Sequence, residues 1–206
     1  MKACLDLHDF SIVNNRLDLL KRLKAKWPNF KVSLFTIPVL TPEDMGPYLI
    51  RGELLKQVRE CLDWIQIIPH GMTHHGSEMK YCNYEMFKNF VIPTIKETFE
   101  KDGLPYEKGF CAPHWRWSEA VVRNLDEMGW WGAIDPRQPN MLSPKRFYKY
   151  SHAIDDELDG EVLKLHGHVY GTSNDLGACM ANLLRLPDDI DWHFVTDFVE
   201  EHDTTL

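Results

Sequence analysis

The sequence predicts an α/β chain of about seven mainly parallel strands, open or closed into a barrel, with the clustered polar strand ends favouring the barrel, as a single domain over residues 1–206. Three observations carry this expectation. Apolar runs alternate with amphipathic segments at the spacing of βα units. No Ser/Gly-rich linker, repeat or low-complexity stretch divides the 206 residues, and their 44% hydrophobic content is enough for one sizeable core. Finally, His8, His70, His74, His114, His166 and His168 all fall at or just past the ends of expected strands, where parallel α/β folds collect their ligands.

The elements follow in order. Residues 2–9 form an apolar-rich strand ending at His8-Asp9. An amphipathic helix follows, with Leu17, Leu20, Leu23 and Trp27 on one face, stopped by Pro28. Residues 31–39 read as a second strand. Thr41-Pro42-Glu43-Asp44 offers an N-cap, a first-turn proline and first-turn acids for a helix running towards Leu62. Residues 64–69 make a third strand, and 84–102 a long helix closed by Gly103. The fourth strand is 108–113, and Ser118 caps a helix that runs to Met128 before Gly129. The fifth strand is Trp130 to Ile134. The stretch 136–160 has Pro136, Pro139 and Pro144 and no helical period, so it reads as a long loop with an extra strand. The sixth strand is 161–168 and a short seventh is 192–198. No element is assigned to 169–191.

Charge and cysteine usage narrow the partners. A net charge of −8 argues against a nucleic-acid backbone, whose binding needs clustered Lys and Arg. No apolar run approaches the ~20 residues of a membrane span, and carboxylates appear too early for a signal peptide. Five cysteines without paired spacing fit a reduced, cytoplasmic protein. Neither a nucleic acid nor a membrane is therefore expected as a partner.

His70 and His74, in Ile-Ile-Pro-His70-Gly-Met-Thr-His74, are the most telling residues. Two imidazoles four residues apart, directly after a strand, can converge on one cation, and neutral imidazole suits zinc and other late first-row divalent ions. On spacing alone such a pair is more often a hydrogen-bonded turn. The other histidines at strand ends raise the odds. In the sixth strand Lys164, His166 and His168 share one face by the two-residue period, and a barrel would turn that face into its lumen. His152, His193 and His202 are assigned ordinary surface or core roles.

With these residues in view, the chain resembles the polysaccharide deacetylase family, the NodB-like carbohydrate esterases, as a divergent member. The resemblance spans roughly residues 3–168 and implies a distorted seven-stranded β/α barrel. The family's first motif has an acidic general base followed by a metal aspartate. Here Asp9 matches the metal ligand and His8 stands where the base is expected. The His-x3-His metal pair is matched by His70 and His74, although Gly71 replaces the usual Ser or Thr. The third motif normally carries Arg before a Pro-rich turn, and Ala112-Pro113-His114-Trp115-Arg116 has it displaced or lost. Val162-Leu163-Lys164-Leu165-His166 fits the last motif, whose histidine protonates the leaving group.

What the resemblance implies is a catalytic metal site. Asp9, His70 and His74 would hold one divalent ion, with zinc the first choice and other first-row transition metals open, and would leave positions for water and substrate. His166 is the candidate acid, and His8 or Asp6 the candidate base, Asp6 lying one pleat deeper. His114, Trp115, Arg116, Asp135 and His168 are candidates for substrate binding. Trp115, Trp117, Trp130 and Trp131 could stack on sugar rings, although core roles are at least as common for tryptophan. Three functions stay open. The first is a metal-dependent hydrolase of C–N bonds that deacetylates an N-acetylated sugar or related small substrate. The second is an inactive metal- or carbohydrate-binding protein on the same barrel. The third is a metal-dependent phosphoesterase in which His114 or His168 joins the metal shell.

Overall fold

A computed structural model describes residues 1–40, 48–138 and 140–202; the cap expected at 41–44 lies outside them. Strand β1 (Lys2–Phe10) leads into α1 (Leu17–Lys26), which buries Leu17, Leu20 and Leu23 and ends in Lys24 and Lys26, cations suited to a helix C-terminus. Strand β2 (Val32–Thr36), helix α2 (Tyr48–Arg59) and strand β3 (Ile65–Pro69) follow. The long helix expected over 84–102 consists of α3 (Tyr84–Met86), a π-turn (Phe87–Val91) and α4 (Ile92–Lys101). The wider turn accommodates Pro93, which has no N–H to donate to the preceding turn.

Strand β4 (Gly109–Phe110) is much shorter than the expected 108–113, because the chain breaks at Pro113 into a 3₁₀ turn (Pro113–Trp115). Helix α5 (Glu119–Met128) begins where the Ser118 hydroxyl accepts from the Val121 amide and ends at Gly129 with φ +67. Next come β5 (Trp131–Ile134), β6 (Arg146–Lys149), β7 (His152–Ala153) and β8 (Val162–His168). Helix α6 (Leu176–Leu183) stands where no element was expected, although Asp175 caps it and Leu176, Cys179, Met180 and Leu183 follow a helical period. The seventh strand expected over 192–198 divides into β9 (Asp191–His193) and a 3₁₀ turn (Val195–Phe198), and β10 (Glu200–Glu201) follows.

One sheet runs β3-β2-β1-β8-β7, with β9 joining the start of β1; the other runs β10-β6-β5-β4. Among the described residues all strand pairings are parallel except β10 on β6. The sheets meet on one side through bridges His70–Cys111 and Ile67–Tyr106. On the other side the chain passes from β6 to β7 through Tyr150 and Ser151, and the Ser151 amide donates to the Lys164 carbonyl at 2.8 Å. With β6 and β7 taken as one bent strand, these strands make a distorted seven-stave barrel.

Alternation along the strands sorts side chains into two cores. Leu5, Leu7, Leu34, Ile67, Leu163 and Leu165 face outward and join Leu20, Leu23, Val58, Ile95 and Leu125 of the helices. Each such side chain contributes roughly 1.5–3 kcal/mol by leaving water, so this outer shell holds the fold. Cys4, Phe35, Ile68, Cys111, Trp131, Ala133, Tyr148 and Tyr150 form the second cluster, inside the barrel. The 3₁₀ turn after β9 plugs the lower end. There Ser33 receives the Val195 amide at 3.1 Å and donates to Gln66 at 2.8 Å, while Gln66 donates to Thr196 at 3.0 Å.

A bulge in β1 then breaks the alternation. Leu7 pairs Leu34 and Phe10 pairs Thr36, so β1 advances three residues against two on β2. Asp9 takes up the extra residue in a left-handed conformation, φ 61. His8 and Asp9 both reach the open end, while Phe10 is fully buried in the outer core.

Candidate active site

The open end is lined from several strand ends. Asp9 Oδ1 lies 3.1 Å from His74 Nε2 and 3.3 Å from His70 Nε2. The three donor atoms fall within 4.8 Å of one another, close enough for one ion. His70 sits immediately beyond β3, and its Nδ1 donates to the Cys111 carbonyl at 3.1 Å. That bond leaves Nε2 of a neutral imidazole without a proton, so two acceptors, Nε2 and a carboxylate oxygen, face each other at 3.3 Å. A cation between them removes the mismatch, and this contact is the observation on which the donor set fits a metal.

The protonation states agree. Burial pushes the Asp9 carboxyl up, but the adjoining His70 and His74 rings outweigh it and hold Asp9 well below the usual carboxylate range. Burial lowers the His70 pKa against the opposing pull of Asp9. An ionised carboxylate beside a neutral imidazole is the state a divalent ion requires.

The His74 loop is organised by Glu78, whose carboxylate accepts from the Met72, Thr73 and His74 amides and the Thr73 hydroxyl at 2.7–3.2 Å. Gly71, with φ +62, fits where a Cβ would lie 2.3 Å from Glu78 Oε1 and 2.5 Å from Pro113. Close approach to Glu78 and Pro113 thus explains the glycine where the family resemblance leads one to expect Ser or Thr. Non-glycine residues with positive φ concentrate here: Asp9, His74, His114 and Trp115. Backbone strain of this kind gathers at functional sites.

His8 occupies the centre. Its ring lies 4.7 Å from those of His70 and His166, 4.8 Å from Trp115 and 5.6 Å from His168. Burial, followed by the neighbouring histidines, lowers its pKa well below the usual imidazole value, so it is neutral at pH 7. Its Nε2 is buried without a hydrogen bond and lies 3.5 Å from Asp6 Oδ1. Asp6, expected as an alternative base, does not open on the pocket. It is fully buried below His8, where it accepts from His166 Nδ1 at 2.7 Å and from the Tyr148 hydroxyl at 2.8 Å.

His166 stacks on Tyr150, ring centroids 4.5 Å apart, and its Nε2 is buried without a partner. His168 points the same way but is half-buried, with Nδ1 donating to Asn174 at 2.9 Å; burial, then His166, lowers its pKa. His114 is exposed, 5.3 Å from the His74 ring. Among the described residues neither His114 nor His168 joins a group of three metal donors. The Arg116 side chain is exposed.

Asp135 is engaged rather than free for substrate. It accepts from the Arg137 amide and guanidinium at 3.0 Å, from Gln138 at 3.1 Å and from the Tyr150 hydroxyl at 2.7 Å. Burial pushes its carboxyl up, but these bonds prevail and bring the pKa to about 2. Of the four tryptophans proposed for stacking, Trp117, Trp130 and Trp131 are core; Trp115 alone is half-buried and lies over His8 and His166. The sequence reading missed Glu78, Arg137, Tyr148 and Tyr150. The two-residue period of Tyr148 and Tyr150 was the available signal for the latter pair.

No family model matches the sequence, and no match was found among curated proteins. Solved structures do match. A putative polysaccharide deacetylase from Mycobacterium smegmatis superposes with TM-score 0.60 at 12% identity, covering 96% of this chain and 88% of that one. A family 4 carbohydrate esterase from Streptomyces lividans, in complex with acetate, gives 0.53 at 14%, covering 90% and 88%. A CE4 family pseudoenzyme from Bacillus anthracis gives 0.57 at 13%, covering 95% of this chain and 64% of that one, so the chain spans just under two thirds of that protein's length. The chain has the fold of the polysaccharide deacetylases.

Proposed function

We propose that this chain is a metal-dependent hydrolase that removes the acetyl group from an N-acetylated sugar or a related small amide. The observation that carries the reading is the convergence of Asp9, His70 and His74 at one end of the barrel, with His8 and His166 beside them. Asp9, His70 and His74 would hold the ion. When bound, a divalent ion there supplies Lewis acidity towards water and an acyl carbonyl. His8, neutral at pH 7, accepts a proton from the attacking water. His166, hydrogen-bonded through Nδ1 to Asp6, delivers one to the departing amine. Trp115 offers its indole face to the substrate. The deacetylase fold supports this reading, and five free, buried cysteines support a reducing, cytoplasmic setting with a soluble sugar precursor as substrate.

His8 favours a second reading, a binding protein on the same barrel that has lost catalysis. Where the family resemblance leads one to expect an acidic base there is a neutral imidazole, and the B. anthracis protein of this fold is itself a pseudoenzyme. Acetate release by the zinc- or cobalt-loaded protein, from N-acetylglucosamine and short acetylated chitooligosaccharides, separates the two. Turnover supports the hydrolase. Stoichiometric metal with no turnover, gained on His8→Asp substitution, supports lost catalysis.

A further inference from the structure

Asp6 is a carboxylate at the centre of the barrel, with no exposed surface. A carboxyl group buried this deeply costs several kcal/mol unless its oxygens are satisfied. They are satisfied here by neighbours fixed through strand register. Asp6 on β1 pairs with His166 on β8, and His8 pairs with His168, so the inward face of two central strands sets Asp6 beside one imidazole and below another. Oδ1 receives His166 Nδ1 at 2.7 Å and lies 3.5 Å from His8 Nε2. Oδ2 receives the Tyr148 hydroxyl at 2.8 Å, and Cys4 Sγ stands 3.7 Å behind that hydroxyl.

We propose that Asp6 is a positioning residue that fixes the tautomer and orientation of His166 from beneath. A carboxylate oxygen accepts, so His166 must carry its proton on Nδ1, which leaves Nε2 to exchange protons with a ligand. This deepens the hydrolase reading, on which the roles of His8 and His166 rest.

Asp6, His8 and His166 also lie close enough together to be considered as a second cation site. The distances favour the hydrogen-bonded hub. Two ligands at ~2.1 Å from a tetrahedral ion stand roughly 3.4 Å apart, whereas Asp6 and His166 are separated by 2.7 Å, an N–H···O distance. An ion would also have to compete with the Tyr148 donor.

The test is the tautomer, read by long-range ¹H–¹⁵N NMR of the full-length, metal-free protein labelled at histidine and assigned with His166→Gln. The wild type is expected to show His166 protonated on Nδ1. Asp6→Asn, whose amide can donate, is expected to shift it towards the Nε2-protonated form. In an active enzyme the same variant should lower kcat about 10²–10⁴-fold with KM and metal content unchanged. Tyr148→Phe removes the other bond to Asp6 and controls for loss of packing; it should cost stability and leave the tautomer alone. A wild-type His166 protonated on Nε2 overturns the proposal without any variant. So does an unchanged tautomer in folded Asp6→Asn, or a second bound ion per chain that Asp6→Asn loses. Absence of acetate release with the expected tautomers fails the hydrolase reading alone.

Discussion

Asp9 and His74 meet at 3.1 Å, and each reaches the other from a left-handed backbone, at φ 61 and 60. Such a conformation costs an L-residue on the order of 1 kcal/mol, so the surrounding structure spends stability to bring the two side chains together. Ion binding should return it. Zinc at 100 times its Kd stabilises a folded protein by about 2.7 kcal/mol, which corresponds to a rise in Tm of about 5–10 °C for a chain of this size. Scanning fluorimetry with and without chelator, alongside metal analysis, checks this. Stoichiometric metal retained by an Asp9→Ala, His70→Ala double variant would sink the donor set.

Glu78 is expected to act on the ion through the loop it organises. Glu78→Ala removes the acceptor of three amides and a hydroxyl, and should weaken metal affinity about 10–100-fold, the usual effect of losing a ligand's supporting partner. Gly71→Ala, strained at φ +62 and crowded by Glu78 and Pro113, should do the same and lower stability as well. Metal titration by calorimetry reads both. Wild-type affinity in both variants would mean that the loop does not set the site.

His166 and His168 should differ in kind. His166→Ala is expected to lower kcat about 10²–10⁴-fold, while His168→Ala, a half-buried residue held by Asn174, should cost far less. A collapse of activity in His168→Ala with His166→Ala unaffected would exchange their roles.

For His8, steady-state kinetics of three proteins give the answer. If the imidazole is the working base, His8→Ala should lose at least about 10²-fold in kcat, and His8→Asp should keep activity with an altered pH profile. Equal, robust turnover in wild type and His8→Ala would remove His8 from the chemistry altogether.

The histidines also set an acid limit on the metal-free fold. His8, His70 and His168 all have pKa values lowered first by burial. The unfolded chain therefore takes up protons near pH 6.5 that the folded chain refuses. Stability is fully present above that pH and is lost as pH falls below it, each histidine contributing up to ~1.4 kcal/mol per pH unit. Urea denaturation at pH 7.5 and 5.5 should differ by about 2–4 kcal/mol on this basis, and His168→Gln should flatten the slope. A pH-independent midpoint across that interval would contradict the burial of these rings as neutral groups.

The strands that carry the site could be read from the sequence because their outward faces are continuous in apolar residues and their inward polar residues recur every second position. Lys164, His166 and His168 are the plainest case. The bulge could not be read that way: Asp9 looks like an outward residue by alternation, and only the register against β2 turns it to the open end. Asp6 was legible as inward but not as the partner of His166, since that pairing joins strands far apart in sequence. Tyr148 and Glu78 act through one carboxylate or one loop and leave no periodic trace. Helix α6 had a cap and a period, and both went unread.

Strand β1 is paired with β8 along most of its length and with β9 and β2 on its other flank, whereas His74 hangs from a loop whose amides lean on one carboxylate. Amide exchange should therefore divide the pocket into two rates, slow for the backbone of Asp6 and His8, fast for 72–74. An ion can leave by the loosening of that one loop while the histidines beneath stay assembled, so the pocket can empty and refill without the barrel melting.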